Sequence, residues 1–334
     1  MEGEGSEGPV AARLPQLEWA CLSTDGLSDI RLRLVELARR LLRGEFSCAA
    51  ELFRDIPKGS PLFPAAIRYV FIGAIGGGDE RLFERALEAL RAYPLRNGST
   101  YAKLAADLTE IWLRLFLNVS DGIPAWLVDL DLDAVPFAWR RSAVALARRF
   151  HDLCGDCRHA ELLARAEFAF TEPRDPADGA ASRVGAVLTM LALAAICRDS
   201  ERTAEMIRWY ARAVGEACSG GVLVPLLGAS LGPCSEFDRL LGAESRDMLE
   251  KVRELSEPFF RNVIRFHNRL AESPVTEKLS MRLFYIVTQV KRGRGYREIG
   301  HSMGIAHGRA RNLVFEAYKR LGVHKYTEIG KFVW

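Results

Sequence analysis

The run Tyr296-Arg-Glu-Ile-Gly-His-Ser-Met-Gly-Ile-Ala-His-Gly-Arg-Ala-Arg-Asn-Leu-Val-Phe-Glu-Ala-Tyr-Lys-Arg-Leu321 sets the reading of this chain. At helical spacing Ile299 and Met303 share one face of a helix over about Tyr296–Met303. Gly304-Ile305-Ala306 supplies a sharp turn, with Ile305 pointing inward. A second helix, about His307–Leu321, then sets Ala310, Val314, Ala317 and Leu321 on one side and Arg309, Arg311, Asn312, Phe315 and Lys319 on the other. Upstream, Met281 to about Val290 makes a helix burying Ile286, Val287 and Val290. Downstream, Thr327–Trp334 reads as a fourth helix.

The charge distribution isolates the same region. The 334 residues carry a formal net charge of only +3. Residues 278–334, however, hold 12 Lys+Arg against 3 Asp+Glu, a net of +9, whereas residues 1–277 hold 34 against 40, a net of −6. A basic module behind a mildly acidic body points to a nucleic acid or another anionic surface as partner. Apolar residues at 49% and charged residues at 27% are ordinary for a globular chain with a real core, which excludes collagen-like and wholly disordered readings.

Between Leu27 and Glu272 apolar residues recur every three or four positions, and period-2 segments are nearly missing. The plan is a long helix, a tight polar turn and an Ala-rich helix. It repeats as Ser28–Arg43 with Cys48–Ile56, Pro64–Ile75 with Glu80–Ala92, Phe137–Leu153 with Arg158–Phe170, and Ser182–Ile196 with Glu201–Ala217, while Ser99–Asn118 opens a less defined pair. The turns are unevenly spaced, and the pattern resembles a degenerate tetratricopeptide (TPR-like) solenoid; an irregular helical bundle is the alternative. Thr171–Gly179 reads as an exposed connector, and Gly220–Gly232 as an apolar loop tucked against the helices. Ser256-Glu-Pro258 reads as the cap and first turn of a new helix running to about Glu272. The expected fold is therefore all-α. A lead-in at 1–25 precedes an irregular helical-hairpin solenoid at 26–273 and a small four-helix domain at 274–334.

The last of these resembles the LuxR-type helix-turn-helix family of bacterial transcription regulators. The resemblance rests on Leu279-Ser280-x-Arg282, Gly293, Arg297-Glu298-Ile299-Gly300, Met303-x-Ile305, Lys319-Arg320-Leu321-Gly322-Val323 and Thr327-Glu328, ungapped over about 50 residues. Leu283 stands where the family usually has Glu, Gly295 replaces a frequent Ser cap, and Arg309-Ala310-Arg311 replaces Thr-Val-Lys. The resemblance implies a recognition helix in the major groove of double-stranded DNA. Mapped onto this chain, Arg311 and Asn312 would read base edges, with Arg309 and Phe315 nearby, because Arg pairs two-pronged with guanine and Asn with adenine. Arg294, Arg297, His307, Lys319 and Lys325 would touch phosphates. Ile329, Phe332, Val333 and Trp334 would form an apolar surface for a second copy, making a homodimer.

Other chemistry finds less support. No phosphate-binding glycine signature is present, and no nucleophile arrangement of an enzyme can be assembled. His151, Cys154, Cys157 and His159 have zinc-like content, but they fall where the helical pattern needs a turn, so turn residues are the preferred reading and no cofactor is expected. The acidic, Gly-rich start lacks the marks of a secretory signal, and seven dispersed cysteines suit a reducing cytoplasm. The functional expectation is a cytoplasmic bacterial regulator whose body answers to a small molecule or protein. A protein-scaffolding adaptor with an accessory tail is the alternative, and a metal or redox sensor a third.

Overall fold

The computed structural model describes residues 29–133, 135–171, 180–229 and 235–334. These are helical, with no strand among the described residues. The lead-in at 1–25 and most of the Thr171–Gly179 connector lie outside them. The body runs through α1 (Asp29–Leu42), α2 (Ala49–Asp55), α3 (Phe63–Gly77), α4 (Glu80–Asn97), α5 (Thr100–Phe116) and α6 (Ala125–Val128). It continues through α7 (Phe137–Leu153), α8 (Cys157–Thr171), α9 (Ala180–Asp199), α10 (Thr203–Gly220), α11 (Val224–Ala229), α12 (Ser235–Glu244) and α13 (Arg246–Leu270). The tail holds α14 (Met281–Lys291), α15 (Tyr296–Met303), α16 (His307–Leu321) and a closing 3-10 turn, Tyr326–Lys331.

The sequence's hairpins are there: α3 packs on α4, α7 on α8 and α9 on α10. Local chemistry stops and starts them. Asp79 accepts from the Leu82 N–H at 3.0 Å and Ser99 from the Ala102 N–H at 3.0 Å, each satisfying an orphan amide of a first helical turn. Contacts do not stop at neighbours, as they would in an open solenoid. α13 returns across the array to lie on α3, where Asn262 donates to the Gly76 carbonyl at 3.2 Å and Arg269 pairs with Glu84 at 2.5 Å and with Glu80. The Leu223 N–H likewise donates to the Leu42 carbonyl at 2.8 Å, so the body closes on itself.

Two sequence expectations need correction here. Pro258 does not begin a helix; α13 passes straight through it. An internal proline costs about 3 kcal/mol, which the burial of Val252, Phe259, Phe260, Val263, Ile264 and Phe266 on this one helix outweighs. Gly220–Gly232 is not wholly loop: Val224–Ala229 forms a short helix, and Val222, Leu223, Val224, Leu226 and Leu227 are core residues.

The division at residue 273 separates two charge regions but not two independent cores. The tail's core draws Phe260 and Ile264 from α13. Trp334 packs against both cores, with ring centroids 4.3 Å from Phe284, 6.2 Å from Phe260 and 5.3 Å from His267. Truncating Trp334 to Ala should therefore cost about 2–4 kcal/mol in urea unfolding of the full chain. His267 is buried, with Nδ1 2.8 Å from the Leu117 carbonyl. Burial pushes its pKa below the ordinary histidine value of 6.5, against the opposing pull of that carbonyl and of Asp121. Below about pH 6.5 the unfolded chain gains a proton that the folded chain refuses, so stability is full above that pH and falls as the pH drops toward the lowered native value. Unfolding midpoints for the wild type and His267→Gln should show a shallower acid-side loss in the variant; parallel pH profiles would contradict this.

Candidate nucleic-acid interface

Three features of the chain build the surface of the tail. The first is the connection between α15 and α16. Gly304 ends α15 with φ +63°, a left-handed conformation that a side chain disfavours by about 1–2 kcal/mol. A Cβ on Gly300 would lie 2.8 Å from the Ile305 carbonyl oxygen, so only glycine lets the turn fold this tightly against α15. The Ile305 N–H closes the turn on the Gly300 carbonyl at 2.9 Å. Gly295 carries no capping side chain, yet Glu298 takes the Gly295 N–H at 2.7 Å and so supplies half of a capping box.

The second is the two-sidedness of α16. Ala310, Leu313, Val314, Ala317 and Leu321 are buried, while Arg309, Arg311, Asn312, Phe315 and Lys319 are exposed. At about 100° per residue, Arg311, Asn312, Phe315 and Lys319 fall within an arc of about 100° directly opposite the buried stripe. Arg309 sits on the flank, about 60° beyond Asn312. Phe315 stands 49% exposed, and the Arg311 guanidinium lies over its ring at 5.4 Å. The outward face of α16 thus sets an aromatic ring and a guanidinium side by side in solvent.

The third is electrostatic. The three acidic side chains of residues 278–334 are all engaged locally: Glu298 with the Gly295 N–H, Glu316 with Arg320 at 2.7 Å and Glu328 with the His324 N–H at 3.1 Å. None is spent on Arg309, Arg311, Lys319 or Lys325 by a hydrogen bond or ion pair among the described residues. Arg297, His307, Lys319 and Lys325 are exposed, Arg294 is half-buried, and His307 meets Tyr296 edge-on at 6.0 Å. The sequence-derived phosphate set is thus at the surface of the same module.

The expected apolar dimer surface is corrected. Ile329 and Val333 are buried in the tail's own core, and Phe332 and Trp334 pack against it. The segment ends as a 3-10 turn instead of a fourth helix, strapped down by the Thr276 N–H to the Phe332 carbonyl at 2.9 Å and by Lys291 Nζ to the Val333 carbonyl at 3.1 Å. The same apolar residues that looked available for a partner close the hydrophobic core instead.

The His/Cys constellation is rearranged as well. Between α7 and α8, His151 and His159 stack with ring centroids 5.2 Å apart and interplanar angle 28°. Asp156, which sequence reading passed over, lies between them, with Oδ2 2.7 Å from His159 Nδ1 and 3.5 Å from His151 Nδ1. The His159 backbone N–H and imidazole hold its carboxyl below the ordinary aspartate range. Cys154 is exposed in the turn, outside this cluster, and the Cys157 side chain lies outside the described residues. This turn also touches the tail, where Arg292 donates to the Asp152 carbonyl at 3.3 Å.

No family model, no curated protein and no solved structure matches the chain. No helix among the described residues is long and apolar enough to cross a membrane. The packing at the turn gives its own test. Gly300→Ala should destabilise the tail by about 1–3 kcal/mol, because the backbone carbonyl it meets cannot move aside as a flexible side chain would. Chemical denaturation of the full chain followed by circular dichroism checks this, and a stabilised variant would contradict it.

Proposed function

We propose that the chain is a DNA-binding transcription regulator whose tail works as a LuxR-type helix-turn-helix reader and whose body, of irregular TPR-like hairpins, receives a small-molecule or protein signal. The observation that carries this reading is α16: a helix with one face buried and the opposite face composed of Arg311, Asn312, Phe315 and Lys319, presented on a glycine turn in a module of net charge +9. Such a helix is about the width of the major groove. In that groove Arg311 would pair with guanine O6 and N7, Asn312 with adenine N6 and N7, and Phe315 would meet a thymine methyl.

Arg294, Arg297, His307, Lys319 and Lys325 would fix the register through phosphates and add affinity without sequence information. Arg309, on the flank of α16, faces the groove wall more than its floor. The resemblance implies two copies on DNA, and their contact would have to use a surface other than the buried 329–334 segment. The chemistry is binding, and no catalytic group is called on.

Duplexes selected from a random pool on the purified full chain, then titrated by fluorescence anisotropy at rising salt, test the reading. Selection should enrich a motif. Arg311→Ala should cost about 1–3 kcal/mol on the selected duplex and little on an unselected one. Lys325→Ala should weaken all duplexes alike and reduce the salt slope by about 1. No enriched motif, with Arg311→Ala indistinguishable from Lys325→Ala, would leave DNA sequence unread and favour the adaptor.

A further inference from the structure

The turn between α7 and α8 brings together three ligand atoms from His151, Asp156 and His159, all within 4.8 Å of one another. Their hydrogen bonding is incomplete in an informative way. His151 Nε2 lies 3.3 Å from the Val128 carbonyl, which leaves Nδ1 as the ring nitrogen turned to Asp156. His151 Nδ1 faces the Asp156 carboxylate oxygen at 3.5 Å. At that distance an N–H···O bond would be poor. A cation placed between the two satisfies both at once, and a histidine that donates its second nitrogen to a backbone carbonyl is the usual arrangement around a bound metal.

We propose that His151 Nδ1, Asp156 Oδ2 and His159 Nδ1 form a site for a divalent first-row transition ion such as Zn2+, with a fourth position open to water. Bonds of about 2.0–2.1 Å in tetrahedral geometry separate ligand atoms by about 3.3 Å. The His151–Asp156 spacing of 3.5 Å already meets that requirement. The His159–Asp156 pair, at 2.7 Å, opens by about half an ångström as the metal replaces the shared proton. Two imidazoles and a carboxylate suit zinc, cobalt, nickel and copper and not calcium or magnesium. His159 is 62% and Asp156 40% exposed at the side chain, so the ion exchanges with solvent instead of being locked into the core. The ligands differ from the four-residue His/Cys set suggested by spacing in the sequence: two histidines remain and the aspartate takes the place of the thiols. The inference stands apart from DNA reading.

The test uses the full chain, Zn2+ alone and competition against a chromophoric zinc chelator, with circular dichroism confirming that each variant folds. The wild type should bind one Zn2+ that His159→Ala and Asp156→Asn weaken about ten-fold or more. His159 is exposed, and Asn at 156 can still cap α8 through its side-chain oxygen, so neither change removes a core side chain, and His159→Ala gives up only the ring contact with His151. The Cys154→Ser/Cys157→Ser double variant should keep the site, with affinity within about two-fold of wild type. Absence of saturable binding, binding equal in wild type and His159→Ala, or binding lost only with the cysteines would overturn the proposal.

Discussion

The largest core of the body and the core of the tail both condense on α13, and the placing of the tail depends on that shared helix. Val252, Phe259, Val263 and Phe266 enter the body's core, while Phe260 and Ile264 enter the tail's. At about 100° per residue these form two stripes rotated by about 100° around one helix. Ser256 and His267, the buried polar residues of α13, fall between the stripes. Ser256 donates to the Val252 carbonyl at 2.5 Å and His267 Nδ1 lies 2.8 Å from the Leu117 carbonyl, while His267 Nε2 is buried without a hydrogen-bond partner among the described residues.

From this constraint comes a rigid mounting for the basic module. Trp334 is wedged where the two cores meet, and the Arg198 guanidinium lies over the Tyr285 ring at 5.2 Å. Arg292 reaches the Asp152 carbonyl, and Arg149 joins Asp152 at 2.5 Å and also bonds Asn118. The tail is therefore held by apolar packing on one side and by the α7–α8 turn on the other. On the proposed function, a signal in the body would have two physical routes to α16, through the stripe of α13 or through the turn that carries His151, Asp156 and His159.

Much of this was legible in the sequence because helical periodicity is a local signal. Phe137–Leu153 agrees with α7 at both ends, and the buried and exposed faces of α16 follow directly from its spacing. The misreadings share a cause: each feature is decided by contacts distant in the chain. Pro258 looks like a start until α3 and the tail bury the helix on both sides of it. Ile329, Phe332, Val333 and Trp334 look like a sticky end until α13 and α14 cover them. Asp156 was overlooked because a C-x-x-C pair draws attention to thiols, whereas the stacking of His151 on His159 needs two helices to turn back on each other. The offset of Arg309 was within reach of the helical angle alone.

The central claim is that the outward face of α16, and no other part of the chain, meets DNA bases. A photo-crosslinking amino acid placed at Phe315, with a second protein carrying it at the 87%-exposed Leu95 on the body, tests this against a selected duplex. The account predicts covalent DNA adducts from position 315, competed by unlabelled selected duplex, and none from position 95. Equal adducts from both positions, or none from 315 under conditions where the complex forms, would contradict it.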